Sequence, residues 1–592
     1  MKWEERHRYT IKGGKNMAAN PGYRTKEQIT GADCVVGALL EHNVPFVTGV
    51  TGGAIMKIYD AIGESGIRVI DAAQEGGAGH LAEGYAMATG RPGVVVVTSG
   101  PGFTNVVTPL YDAYMDSVPL IVISGQVAAS AIGTDAFQEV DAYGLSLPIV
   151  KHSYLVKDAR DLPQVMVEAF YLATNNRPGP VHIDIPKDVA QCLLGEIPEI
   201  DYSSNAFNHN PITRLNGELE DALEMLYLAE RPVVYIGGGV ITARAANIAD
   251  LVRKLNIPAV TTLKALGALP YDKLNLGMPG MHGTAYANYA LGNADTILVL
   301  GSRLDDRVVS NLEQFAVKRI IHVDIDPTEI DKRVIAVSPF HADVGEFITA
   351  MLARAQEGSG RYHDWHAQIA QWREQFPMEF HQGAGVISPQ YPIAVLDEIL
   401  RNEDAIITTG VGQHQMFAAQ YFHPRGQRRF LTSGGAGTMG FGFPAALGAK
   451  LAHPERIIVD IDGDGSFLMN VQELATAHKH NIPVKAMVLT NGAMGMVRQW
   501  QTLFFNQGYV ASHLGTGGYP DFSMIAQGFG IPGRRISRPE DVQPAIEEML
   551  GATTPYVLEI LVDKDAQVLP MVPPGKRVDS DMITIQGARE RR

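Results

Sequence analysis

Asp464 and Asn491 carry hard oxygen donors, and each directly follows an apolar, β-branched run. The first lies in Ile457–Asn470 (IIVDIDGDGSFLMN) and the second in Val484–Met496 (VKAMVLTNGAMGM), 27 positions further on. With a helical pattern over Val471–Lys479 between them, the runs read as adjacent parallel strands whose carboxyl ends share one sheet edge, where open α/β sheets bind ligands. A carboxylate, an amide oxygen and a turn carbonyl, for which Ala493 is the candidate, fill half of an octahedral shell. Diphosphate oxygens and water complete it, which is the coordination habit of Mg²⁺. Gly463 and Gly465 let backbone N–H groups approach phosphate, and Ser466 is expected to open the following helix. A plain tight turn is the competing reading. An EF-hand over Asp462, Asp464, Ser466 and Glu473 fails, because Phe467 stands where glycine is needed and a strand, not a helix, comes first.

Glu75 lies in Ile70–Gly84 (IDAAQEGGAGHLAEG), where a strand-like run turns into a helix rich in small residues. Thiamine must convert its aminopyrimidine to the imino tautomer before that group can accept the thiazolium proton. A carboxylate on the far ring nitrogen drives the change. Small neighbours let Glu75 approach a flat ring closely; Glu83 competes, but helical spacing turns it elsewhere. Alone, Glu75 also reads as an acidic residue favoured at a helix N-terminus, and its pairing with the Asp464 segment tips the balance.

These residues need sheets to position them. The 592-residue chain is too long for one core. Three blocks alternate β-branched runs with helical patterns, so the expected fold class is α/β, with three doubly wound parallel-sheet domains. The expected organisation is a tail over 1–29, a first domain over 30–192 and a linker over 193–214. A central domain over 215–350, a helical connector over 351–386, a third domain over 387–563 and a final segment over 564–592 follow. Strands are expected at Gly93–Thr98, Leu120–Ser124, Val181–Pro186, Pro232–Ile236, Thr296–Gly301, Ile320–Asp324, Ala405–Thr408, Arg456–Asp462 and Val484–Leu489.

Composition excludes several classes. With 46% hydrophobic and 19% charged residues the chain reads as soluble and globular. A net charge of −15 argues against a general nucleic-acid or anionic-membrane surface. No apolar run reaches the roughly 18 residues of a membrane span, and the first 23 residues lack a signal-peptide core. Two cysteines, Cys34 and Cys192, suggest no disulfide framework, so the expected location is cytoplasmic.

Over about Lys26 to Ile583 the chain resembles the catalytic subunit family of acetohydroxyacid (acetolactate) synthases, thiamine-diphosphate enzymes. Gly463-Asp464-Gly465 with Asn491 matches the family's thiamine motif. Thr98–Asp116, Gly133–Glu139, Gly410–Met416, Thr432–Pro444, Gly495–Trp500 and Leu569–Gly575 are also similar to it. The resemblance implies a pyrimidine-binding, a central FAD-type and a diphosphate-binding domain. It implies that Glu75 activates the pyrimidine, that Met439 bends the cofactor and that Gly53 lies at the catalytic centre. Gln413, His414, Gly463, Gly465, Ser466 and Met496 would contact thiamine diphosphate. Phe137, Gln138 and Lys187 would line substrate access, while Arg307, Val497 and Trp500 would receive the second keto acid. Arginine suits a carboxylate through its planar donor fork.

The middle block resembles the family's FAD-binding domain. Gly237, Gly238, Gly239, Thr262, Leu263, Met281, His282, Gly283, Thr284, Gly301, Arg303, Asp324, Ile325, Asp343 and Val344 fall at its contact positions. Three glycines after a strand equally suit a plain turn. FAD would be structural, since the reaction implied is pyruvate decarboxylation followed by ligation to pyruvate or 2-ketobutyrate, the first common step towards valine, leucine and isoleucine. A homodimer or dimer of dimers is implied, with Glu75 and the Asp464 motif serving one site from different subunits, and a small regulatory subunit is a possible partner. Val50-Thr51, Gln74 and Gly76 depart from the family's usual Tyr-Pro, His and Gln. The rival readings are a pyruvate oxidase, a simple decarboxylase and, from another class, a non-catalytic nucleotide-binding scaffold.

Overall fold

Apolar, β-branched runs form the centre of three sheets in the computed structural model, which describes residues 29–195, 197–207, 218–358, 360–515 and 520–590. Nearly all of the expected tail and residues 208–214 of the expected linker lie outside the described residues. Strand β1 (Ile29–Thr30) precedes β2 (Phe46–Val50), β3 (Arg68–Asp71), β4 (Gly93–Val97), β5 (Leu120–Gln126), β6 (His152–Leu155) and β7 (Pro180–Pro186). A short β8 (Leu193–Leu194) pairs antiparallel with β1. The six strands between run parallel in the order β3-β2-β4-β5-β7-β6. Val94–Val97 and Leu120–Ile123 are fully buried, as expected of a parallel sheet covered on both faces.

The second sheet holds β9 (Pro232–Ile236), β10 (Ala259–Thr261), β11 (Thr296–Leu300), β12 (Arg319–Asp324) and β13 (Ser338–His341) in the parallel order β10-β9-β11-β12-β13. The third holds β14 (Ala405–Thr409), β15 (Phe430–Thr432), β16 (Ile457–Gly463), β17 (Lys485–Thr490), β18 (Gly533–Ile536) and β19 (Tyr556–Leu561), parallel in the order β15-β14-β16-β17-β19-β18. Asp464 and Asn491 therefore follow hydrogen-bonded neighbours, β16 and β17.

The helices that bear on the site are α1 (Glu75–Thr89), α2 (Val107–Asp116), α3 (Ala285–Asn293), α4 (Gln413–Tyr421), α5 (Gly442–Ala452), α6 (Glu473–Lys479) and α7 (Gly495–Phe504). The chain forms two compact units. One comprises the described residues up to 207 with Gly435–Pro454 and Asn470–Pro483; the other comprises the described residues of 218–434, Glu455–Met469 and those from Val484 onward. Thus α5 and α6, which lie within the third block in sequence, belong to the unit that holds the first sheet. Gly84 of α1 faces the Ala445 backbone of α5, and Gly448 of α5 faces the Leu81 carbonyl, so close that a Cβ at either glycine would strike main chain. Among the described residues no helix is long and apolar enough to cross a membrane.

Candidate active site

In the second unit, the turn after β16 carries a half-shell of oxygen donors. Asp464 is buried; its Oδ1 accepts the Gly465 N–H at 2.9 Å and its Oδ2 the Gly492 N–H at 2.7 Å. The second bond ties the turn after β16 to the turn after β17 and brings the two donor-bearing loops together. Asn491 Oδ1 accepts the Ala493 N–H at 3.0 Å, and its amide donates to Gln413 Oε1 at 3.4 Å. Burial pushes the Asp464 carboxyl up to about 6, against the pull of the Gly492 and Gly465 amides and of His414. The helical turn here begins at Asp464 with Gly463 as its cap, two residues before Ser466, where the sequence had placed its start. Ser466 Oγ instead accepts the Val411 N–H at 3.2 Å.

Glycines set how closely these loops meet. A Cβ at Gly463 would lie 2.5 Å from His414 Nδ1, and one at Gly410 would run into Asp462 and Ser466. His414 Nε2 stands 3.2 Å from Asp462 Oδ1, within ion-pair reach, yet has no aligned hydrogen bond. Two residues earlier on β16, burial and the neighbouring Asp462 hold the Asp460 carboxyl well above the usual range. Gln413 donates to Gln499 Oε1 at 2.9 Å and to the Ala566 carbonyl at 3.0 Å. On α7, Met496 is half-buried, Val497 is exposed and Trp500 meets Phe504 edge-on at 5.7 Å.

In the first unit, Glu75 is the first residue of α1 and half-buried. Its Oε2 accepts the Asn105 amide at 2.9 Å, and a Cβ at Gly102 would sit 3.7 Å from its Oε1. The departures Gln74 and Gly76 act together. Gln74 Oε1 folds back to accept the Gly76 and Gly77 amides at 2.6 and 3.2 Å, and a Cβ at residue 76 would stand 2.7 Å from that oxygen. Gly100, at φ +57°, admits the Gln138 backbone, where a Cβ would be 2.7 Å from the carbonyl. Gln138 itself has a φ of +62° and follows an almost fully exposed Phe137. Gly53 borders open space beside Gly52, which abuts Thr98; Lys187 is exposed after β7, and Met439 is half-buried.

The central sheet explains its glycines by close approach. Gly237 and Gly239, after β9, press on Gly301, after β11, which has a φ of +58°. A Cβ at Gly238 would press on the Lys264 Cβ at 3.2 Å. Leu263 begins a short helical turn with Thr262 before it. Thr284 caps α3 through the Ala287 amide, Gly283 packs on Met278 and Pro279, and the Met281 N–H donates to the Arg307 carbonyl at 2.7 Å. His282 is buried, its Nδ1 has no hydrogen bond, and burial with nearby Arg307 pulls it down to about 4. Asp324 accepts the Asp326 amide, the Ile325 carbonyl faces His341, and Asp343 caps the helix that begins at Val344. Arg303 and Arg307 lie near Asp305 and Asp306, with Arg307 largely exposed.

Three thiamine pyrophosphate enzyme family models match: the N-terminal TPP binding domain over 29–145, the central domain over 219–351 and the C-terminal TPP binding domain over 410–560. The chain is 44% identical to an acetolactate synthase of Mycobacterium bovis, over 95% of this chain and 92% of that protein. It is 45% identical to the chloroplastic acetolactate synthase 1 of Oryza sativa subsp. japonica, over 92% and 86%. Identity to the acetolactate synthase isozyme 1 large subunit of Escherichia coli (strain K12) is 43%, over 94% and 98%. The chain belongs to the acetolactate synthase family of thiamine pyrophosphate enzymes.

In this acetolactate synthase family member the donor set around Asp464 suits an Mg²⁺-bound diphosphate, and the buried His414 imidazole stands beside it with Nε2 towards Asp462. The buried His282 Nδ1, which has no hydrogen bond, is a polar atom that a flavin nucleotide in the central sheet would satisfy. Sequence reasoning missed a buried polar group behind Glu75. There His80 Nδ1 lies 2.6 Å from Glu83 Oε2, with Asp112 of α2 alongside and Glu473 of α6 facing the start of α1. Charged residues on an otherwise small-residue helix gave no signal of an interior face.

Proposed function

We propose that this protein is an acetolactate synthase: it decarboxylates pyruvate and joins the two-carbon unit to a second 2-keto acid, yielding 2-acetolactate or 2-aceto-2-hydroxybutyrate. The observation that carries this reading is likeness to proteins named acetolactate synthase along nearly the whole chain, 92–95% of its length. The bonded turns at Asp464 and Gly492 support a cation and diphosphate anchor. Bound thiamine diphosphate supplies the electron sink for loss of CO₂.

Asp464, Asn491 and the Ala493 carbonyl hold Mg²⁺ against the diphosphate, which Gln413, His414, Gly463, Gly465 and Ser466 cradle. Glu75 would hold the proton at the far pyrimidine nitrogen, Met439 would shape the cofactor's bend, and Met496 would contact the cofactor. Gly53, Phe137, Gln138 and Lys187 border substrate access. Arg307 orients the second keto acid by its carboxylate, while Val497 and Trp500 size its side-chain pocket. FAD in the central block is structural. The working divisions are 30–192, 215–350 and 387–563, the smallest competent assembly is a homodimer, and a small regulatory subunit is a partner. That last inference follows the name "large subunit" of the Escherichia coli relative.

Product analysis tests the reading. With thiamine diphosphate, Mg²⁺ and FAD, pyruvate alone should yield 2-acetolactate, and added 2-ketobutyrate the mixed product. Peroxide or acetaldehyde as the main product would assign an oxidase or a decarboxylase instead.

A further inference from the structure

Glu473 is fully buried at the start of α6, and its carboxylate faces the residues that lead into α1. Oε1 accepts the Gln74 N–H at 3.1 Å. Oε2 accepts the Ala73 N–H at 3.3 Å and the Thr476 hydroxyl at 2.6 Å. The Ala73 N–H also reaches Thr476 Oγ1 at 3.0 Å. The two amides belong to the residues immediately before Glu75. Gly77 leaves the carboxylate its place, because a Cβ there would run into the Glu473 side chain.

These bonds complete the support of the helix start. A helix leaves its first N–H groups unsatisfied; Gln74 takes two of them, and Glu473 holds the two amides that come before. Glu75 is thereby fixed twice, by Glu473 through the main chain of the two residues before it and by Asn105 through its own carboxylate. A buried carboxylate is costly unless fully hydrogen-bonded, and a hydrophobic side chain would fill the same volume at less cost. Two acceptor oxygens aimed at two successive amides serve geometry.

We propose that Glu473 is a positioning residue for Glu75: its carboxylate clamps the Ala73 and Gln74 amides and sets the point from which Glu75 reaches the cofactor's pyrimidine. The proposal rests on the reading of Glu75 as the pyrimidine activator. Glutamine at 473 would keep one acceptor and turn an NH₂ group towards the other amide. Aspartate would keep the charge but fall a methylene short.

The test uses full-length protein loaded with thiamine diphosphate and Mg²⁺, comparing wild type with Glu473→Gln, Glu473→Asp and Thr476→Val. Four quantities are read: kcat, KM for pyruvate, melting by circular dichroism, and substrate-free exchange of the thiazolium C2 proton for deuterium. Misplacement of a catalytic group by about 1 Å can cost about 100-fold, so Glu473→Gln should lose roughly 10- to 100-fold in kcat and in C2 exchange together. KM should stay within about threefold, and Glu473→Asp should fall between glutamine and wild type. A folded Glu473→Gln that exchanges C2 within about twofold of wild type overturns the proposal, as does a loss confined to melting temperature. Should Glu473→Gln fail to fold, Thr476→Val decides, since it removes one donor to the carboxylate and one acceptor for Ala73; unchanged exchange there overturns the clamp. Wild type that exchanges C2 but forms no acetolactate overturns only the assigned reaction, and the clamp is still judged by exchange. Wild type that fails to exchange overturns both.

Discussion

Glu75 and Asp464 have the same functional group and opposite surroundings. Glu75 is half-buried and receives one side-chain amide, whereas Asp464 is buried beneath two main-chain amides. The first arrangement engages one oxygen; the second engages both oxygens with loop amides, and a cation would offset its burial. Glu75→Gln keeps size and the Asn105 contact but cannot ionise. General acid–base groups contribute about 100- to 10,000-fold, and turnover should fall by that range with an unchanged circular dichroism spectrum. Turnover equal to wild type removes Glu75 from its role. Asp464→Ala strips the acceptor from both amides and a ligand from the cation. Loss of an outer partner already weakens metal affinity about 10- to 100-fold, so calorimetric titration of thiamine diphosphate in Mg²⁺ should show at least that loss.

At the scale of elements, the pair α1 and α5 is held by backbone approach more than by large side chains. Gly84→Ala would gain up to about 1 kcal/mol of helix propensity while forcing a methyl into the Ala445 main chain. Overpacking of this kind costs about 1–3 kcal/mol, so the variant should melt earlier than wild type by differential scanning calorimetry. An equal or higher melting temperature would show that the helices part freely. Such contacts lie beyond a reading of sequence pattern. Pattern does reveal the buried strands: β4, β5, β7, β9, β11, β12, β14, β16 and β17 are β-branched runs, and their positions were expected within a residue or two. It is silent on β6, whose HSYL is half polar, and on β19, where buried Glu559 interrupts YVLEIL. Asp464 and Asn491 were legible because adjacent parallel strands force their ends together. Glu473 was not: in the sequence it serves only as the last position of a failed EF-hand, and nothing in its spacing foretells that it faces the start of α1.

Across the molecule, several carboxyls are buried. Asp184 is hydrogen-bonded to Ser124 and Gln126, and Glu559 to Thr490 and the Phe522 amide; burial pushes both, and Glu473, up to about 7. Buried histidines pull the other way: burial brings His182 down to about 3, and burial with Arg307 brings His282 to about 4. For a carboxyl raised on folding, the folded chain holds more protons than the unfolded one between the two values, so its stability is full at low pH and declines as pH rises through the folded value. For a lowered histidine the folded chain holds fewer, and stability rises with pH up to the unfolded value, about 6.5. Below that pH the contributions oppose each other; above it the histidines no longer titrate and the carboxyls still do. The urea midpoint should therefore fall between about pH 6.5 and pH 8. Asp184→Asn cannot ionise, and its midpoint should fall less over the same interval. A wild-type midpoint that is flat or rising across that interval would mean that these carboxyls are already charged in the folded protein.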